Sequence, residues 1–107
     1  MTGKLAGGRW FELSFLEQMA NIGSEVERTA SWKKKGNRDY ERRAFLRMLE
    51  LIDLTIEDKK NLPRLKEVTR MREMLADFFF FGNEYNSSDA FWQKYFLAFA
   101  YASRSRL

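Results

Sequence analysis

Apolar residues recur along this chain at spacings of three and four, in four separate runs divided by short polar segments. That spacing places side chains on one face of an α-helix. In the first run, from about Phe11 to Trp32, one stripe passes through Phe15, Met19, Ile22 and Val26, and an adjoining one through Leu16, Ala20 and Gly23. Ser14 and Glu17 have the spacing of a capping box just inside its start, with Trp10 and Phe11 extending the pattern upstream. Lys33, Lys34 and Lys35 before Gly36 suit a helix end, because cations interact favourably with the last carbonyls and glycine takes up the left-handed cap. A turn is therefore predicted at Gly36.

The second run opens with Asn37 as N-cap and continues to about Asp58, with its apolar stripe on Tyr40, Ala44, Phe45, Met48, Leu49, Ile52 and Ile56. Asp58 to Asn61 reads as a short polar connection, which makes the next helix an antiparallel neighbour. Pro63 is tolerated in the first turn of the third helix, whose inner face runs through Leu65, Val68, Met71, Leu75 and Phe78. That helix is predicted to stop near Phe81 with Gly82 and Asn83 as its cap, followed by a turn-rich loop over Asn83 to Ser88. Ser87 or Ser88 then caps a fourth helix through Ala102, with Phe91, Tyr95, Ala98 and Ala102 in register.

Four helices of similar length, and no sustained period-two alternation, predict an all-α protein, an antiparallel up-and-down four-helix bundle. With 107 residues there is material for one core. Residues 1–9 read as a flexible N-terminal lead and residues 10–107 as the single domain. Met1 to Gly8 lacks the apolar run of a secretory signal, and no stretch approaches the roughly 20 apolar residues of a membrane span. Cysteine is absent. A cytoplasmic location follows as the default expectation.

Aromatic residues make up 16% of the chain, and Phe91, Trp92, Tyr95, Phe96, Phe99 and Tyr101 crowd into the last helix. Phe91, Tyr95 and Phe99 form one stripe; Trp92 and Phe96, again with Phe99, form a second, rotated by about 100°. A helix apolar over so wide an arc has more than one side to bury. Homo-oligomerisation through Phe91, Trp92, Tyr95, Phe96 and Phe99 is one expectation. The other is that a small core simply fills its volume with large side chains.

Charge changes the picture more than its net value of +4 suggests. Between Arg28 and Arg47, eight basic residues face only Asp39 and Glu41, a local charge of +6 that leaves the remainder of the chain at −2. Lys33, Lys34, Lys35, Arg38, Arg42, Arg43 and Arg47 flank the first turn and are the candidate phosphate contacts of a nucleic-acid site, structured RNA or DNA, with Trp32 and Tyr40 beside them as stacking partners for unpaired bases. A solvated face that keeps the chain soluble accounts for the same run, as does an acidic protein partner or membrane surface.

Histidine is absent along with cysteine, which removes the usual general base near neutral pH, Ser-His-Asp and Cys-His arrangements, and nearly all zinc sites. Glu50, Asp53 and Glu57 share a face of the second helix but read as a solvated acidic stripe. A non-catalytic protein with no cofactor and no metal is the expectation. The runner-up to nucleic-acid binding is a protein-interaction module whose aromatic last helix docks in a partner's groove.

The segment NIGSEVER from Asn21 to Arg28, followed by a basic turn and DYERRAFLRMLELIDLTIED from Asp39, resembles the four-helix-bundle proteins encoded in ribosomal RNA intervening sequences and the related accessory proteins of diversity-generating retroelements. Asn21, Ile22, Gly23 and Arg28 match the family's Asn-Ile-Ala-Glu-Gly type element with its nearby arginine, and Phe45, Leu46, Leu49 and Leu51 match the leucine-rich core of its next helix. The element falls here near the end of the first long helix, a departure from the family's order. The resemblance implies a ring-shaped pentamer with a basic surface that binds structured RNA or RNA-DNA hybrids.

Overall fold

The computed structural model describes residues 8–105, so most of the expected lead lies outside the described residues. Residues 8–10 form a helical turn that delivers Trp10 into the core. Four long helices follow: α1 (Phe15–Lys34), α2 (Arg38–Glu57), α3 (Leu65–Phe80) and α4 (Asp89–Ser105), with a 3₁₀ helix, Lys59–Arg64, between α2 and α3. Among the described residues there is no strand, and no helix is long and apolar enough to cross a membrane. The Cα radius of gyration, 13.6 Å, is near the roughly 13 Å of a compact domain of this length.

The helix starts follow from local chemistry. Ser14 Oγ accepts from the Glu17 amide at 3.1 Å while Glu17 accepts from the Ser14 amide at 2.9 Å, so the capping box forms and α1 starts at Phe15 rather than Phe11. Asn37 accepts from the Tyr40 amide at 3.1 Å and starts α2. Ser88 accepts from the Phe91 amide at 3.1 Å to start α4. Pro63 belongs to the 3₁₀ helix, not to the first turn of α3, which begins two residues later.

The core gathers Met19 and Ile22 of α1, Met48 and Ile52 of α2, Val68 and Leu75 of α3, and Trp92 and Phe96 of α4. Helix α1 packs along both α2 and α4, and α2 also meets α3. Gly23 permits the α1–α4 approach: a Cβ there would lie 2.7 Å from Phe96 Cβ. Tyr95 of α4 donates to Glu67 of α3 at 2.8 Å, linking the two helices.

Two further expectations need correction. On α2 the inward register is Glu41, Ala44, Phe45, Met48 and Ile52, whereas Tyr40 points outward and is 45% exposed. One step along a helix rotates a side chain by about 100°, enough to carry Tyr40 off the apolar face and onto Trp32. The short polar connection expected after α2 is also a 3₁₀ helix, of which Asn61 and the N-cap Asp58 are buried. Gln18 donates to the Trp10 carbonyl (3.0 Å) and to Asp58 (2.8 Å), and Asn61 donates to Gln18 (2.8 Å) and to the Thr55 carbonyl (3.0 Å). Trp10 Nε1 donates to Thr55 Oγ1 at 2.9 Å, and Lys60 pairs with Asp58 from the edge. These buried polar groups satisfy one another at every atom but Asn61 Oδ1, which has no partner among the described residues.

Candidate nucleic-acid interface

The basic end of the molecule is shaped by the turn between α1 and α2. Asn37 N donates to the Trp32 carbonyl and Gly36 N to the Lys33 carbonyl, each at 3.1 Å, with Gly36 at φ 73°. This paired closure is a Schellman motif, and it ties the start of α2 directly to the last turn of α1. The left-handed backbone at Gly36 is the one position of the turn where a side chain would be strained.

Because neighbouring helical residues diverge by about 100°, the three lysines leave α1 in three directions. Lys35 turns to the α1–α2 side, where its Nζ lies 4.9 Å from the Trp32 ring centroid. Lys33 turns toward α3, with its Nζ 4.9 Å from the Phe78 ring. Lys34 lines a groove between α1 and α4 together with Ala20, Gly23 and Phe96. On α2, Arg43 and Arg47 join Lys35 on one groove, Arg38 lies beside Lys33 on another, and Arg42 is exposed and lines neither. The seven expected contact residues therefore do not form one patch.

The groove that holds Lys35, Arg43 and Arg47 is a shallow depression of about 780 Å³ between α1 and α2, and Arg28 completes its basic lining. Trp32 and Tyr40 pack against each other in its wall with ring centroids 4.7 Å apart. The Arg43 guanidinium lies 5.4 Å from the Tyr40 ring, so cations flank the aromatic pair on both helices. Arg43 pairs with Asp39 at 3.2 Å, Arg47 with Glu50 at 3.2 Å and Arg28 with Glu25 at 3.9 Å. Exposed pairs of this kind are worth about 0–1 kcal/mol and exchange readily for another anion. The aromatic pair and Arg28 were visible in the sequence as members of the basic segment; their meeting in one groove with Arg43 and Arg47 was not.

The acidic stripe of α2 is engaged in ion pairs, Glu50 with Arg47 and Asp53 with Arg72 of α3 at 2.7 Å. Among the described residues no group of acidic side chains is arranged to hold a metal ion.

The last helix departs from its expected role. Trp92 is 2% and Phe96 5% exposed, both buried in the chain's own core, and Tyr95 and Phe99 are half-buried against it. Trp92 and Phe96 are therefore not open to the outer interface expected of the five, since their surface is covered within the core, whereas Phe91 is exposed. Beside Phe91, the large apolar residues that α4 leaves exposed are Leu97 (62% exposed) and Tyr101 (72%), one turn apart.

Fold and groove together define an all-helical protein with an aromatic groove at one end, lined by four cations and by Glu25 and Glu27. Comparison of the chain with protein-family models, with curated proteins and with solved structures gives no match.

Proposed function

We propose that this chain is a non-catalytic scaffold, an antiparallel up-and-down four-helix bundle, that binds nucleic acid through the groove between α1 and α2. One observation carries the reading: Lys35, Arg43 and Arg47 share a single groove with the Trp32–Tyr40 pair. Cations that take phosphates and rings that stack on bases are thus neighbours, the combination used on strands with unpaired bases. Structured RNA, which offers such bases in loops and bulges beside its phosphates, is the preferred ligand. The exposed Leu97 and Tyr101 support self-association, and a pentamer is the assembly that the family resemblance implies. Lack of cysteine fits the reducing cytoplasm.

The test is fluorescence anisotropy with a labelled RNA hairpin across a salt series. Log affinity is expected to fall linearly with log salt, and the double variant Arg43→Glu, Arg47→Glu to bind at least about tenfold more weakly at low salt, since each reversal removes a phosphate contact and adds repulsion. No binding at low salt, or no effect of the two reversals, would sink the reading.

A second reading rests on the other exposed surface. Leu97 and Tyr101 present a short apolar stripe on α4 suited to a partner protein's groove, with the basic end then serving only solubility. A partner captured by the chain that survives nuclease digestion and is lost on Leu97→Glu favours this second reading over the first.

A further inference from the structure

On the far side of the basic turn, the start of α2 meets the end of α3 around a second pocket of about 410 Å³, within the range of small-ligand sites. Its lining includes Lys33, Arg38, Glu41, Phe79, Phe80 and Phe81. Glu41 is 5% exposed on the inward face of α2, and among the described residues its carboxylate has no ion pair. Lys33, the nearer cation on α1, sits instead over the rings of Phe78 and Phe79. Phe81 is 73% exposed, an aromatic ring held outward beside a basic turn. A carboxylate that lines a pocket without an ion pair can accept from a ligand's donors, and an exposed ring offers a face to a flat apolar partner.

These features together specify a ligand. The carboxylate on the wall favours N–H groups, the phenyl rings favour a planar π system, and Lys33 and Arg38 favour an anion and repel a free cation. A nucleotide carries all three. Among the bases, guanine presents two adjacent donors, N1–H and N2–H, that match both oxygens of one carboxylate. Adenine and cytosine place a ring acceptor beside their amino group, and uracil flanks its N–H with carbonyls. In a duplex the N1–H and N2–H edge is already paired, so only an unpaired guanine can offer it.

We propose that this pocket binds an unpaired guanine nucleotide, with Glu41 accepting from N1–H and N2–H, Phe81 and Phe80 stacking on the base, and Lys33 and Arg38 taking the flanking phosphates. The proposal rests on the nucleic-acid reading of the basic end and adds to it a base specificity at a separate pocket. It also gives the Lys33 and Arg38 pair, which the fold turns away from the α1–α2 groove, a ligand of their own.

The experiment is an anisotropy titration of the intact chain at low salt with short labelled oligouridylates carrying a central uracil, adenine, inosine or guanine. The guanine strand is expected to bind at least about fivefold tighter than the uracil and adenine strands, the discrimination of a bidentate base contact. Inosine, which lacks the N2 amino group, is expected between them. Glu41→Gln, a near-isosteric change, removes the guanine preference and keeps the salt-dependent binding of oligouridylate. Phe81→Ala, at a surface position that leaves the core intact, weakens the guanine strand more than the uracil strand. Equal affinity for all four strands, or a guanine preference untouched by both substitutions, overturns the guanine pocket while leaving the nucleic-acid reading in place. Failure of every strand to bind overturns both.

Discussion

At the scale of single residues, Gly23 and Asp58 are two positions where long-range packing decides what a residue does. A mid-helix glycine lowers α1 stability by about 1 kcal/mol relative to alanine, yet the added methyl would press within 2.7 Å of Phe96 Cβ, the root of a buried side chain that cannot simply swing aside. Overpacking costs about 1–3 kcal/mol, so Gly23→Ala is expected to be net destabilising, with a lower urea midpoint and an unchanged slope. A more stable variant would mean that α4 yields at this contact. Burial pushes the Asp58 carboxyl up, but hydrogen bonds from Lys60 and Gln18, with the charge of Lys60, together outweigh it and hold the carboxyl below the usual aspartate range. A carboxyl whose folded pKa is depressed stabilises fully above its unfolded value of about 3.9, and that stability is lost as pH falls through the folded value. Denaturant titrations at pH 7 and across the acid range are expected to show a smaller acid loss in Asp58→Asn than in the natural chain. Neither residue's role was legible beforehand. Gly23 read as one more small residue on a stripe, and Asp58 as part of a short polar link, because the partners that define them, Phe96 and Gln18, lie 73 and 40 positions away in the chain.

Among the elements, the joint between α3 and α4 is made by side chains more than by close backbone packing. The loop between them is folded around Asp77, whose carboxylate accepts from the amides of Glu84 (2.8 Å) and Tyr85 (3.0 Å), while Asn83 and Ser87 exchange a reciprocal pair of bonds at 2.9 and 3.0 Å. Asn83 and Asn86 take the left-handed backbone at φ 51° and 55°, a conformation that asparagine tolerates better than most residues. Along the helices the link is Tyr95 to Glu67. Burial first, then the hydrogen bond to Glu67 and the charge of that carboxylate, raise the Tyr95 phenol well above its ordinary value. A group with a raised folded pKa stabilises fully below its unfolded value, about 10 here, and that stability is lost as pH climbs toward the folded value. Tyr95→Phe is expected to lose about 1 kcal/mol at neutral pH and to show a shallower alkaline loss of helical circular dichroism than the natural chain. Helix identities and caps were readable from spacing and from Ser14, Asn37, Gly36 and Ser88, since those signals are local. The 3₁₀ helix at Lys59–Arg64 was not, because its reason for existing is the long-range burial of Asn61 against Gln18.

For the whole molecule, the remaining question of assembly turns on α4. With Trp92 and Phe96 committed to the core, self-association through this helix falls to its exposed side chains, of which Leu97 and Tyr101 are the most open. Sedimentation velocity at micromolar concentration is expected to show an oligomer that falls to monomer in Leu97→Glu, Tyr101→Glu, with helical content unchanged; a natural chain already monomeric at that concentration sinks the idea. The sequence by itself determined the all-α class, the number of long helices, most of their caps and the gathering of positive charge around one turn, because periodicity, capping chemistry and charge are properties of neighbouring residues. Only the tertiary structure decided which rings are buried and which are open, that the three lysines part toward three different grooves, that Glu41 rather than Tyr40 faces inward, and that Phe81 stands beside Lys33 and Arg38. A helix turns each side chain by about 100° from the last, so the angle at which one helix meets another, which no local pattern encodes, determines what each residue finally faces.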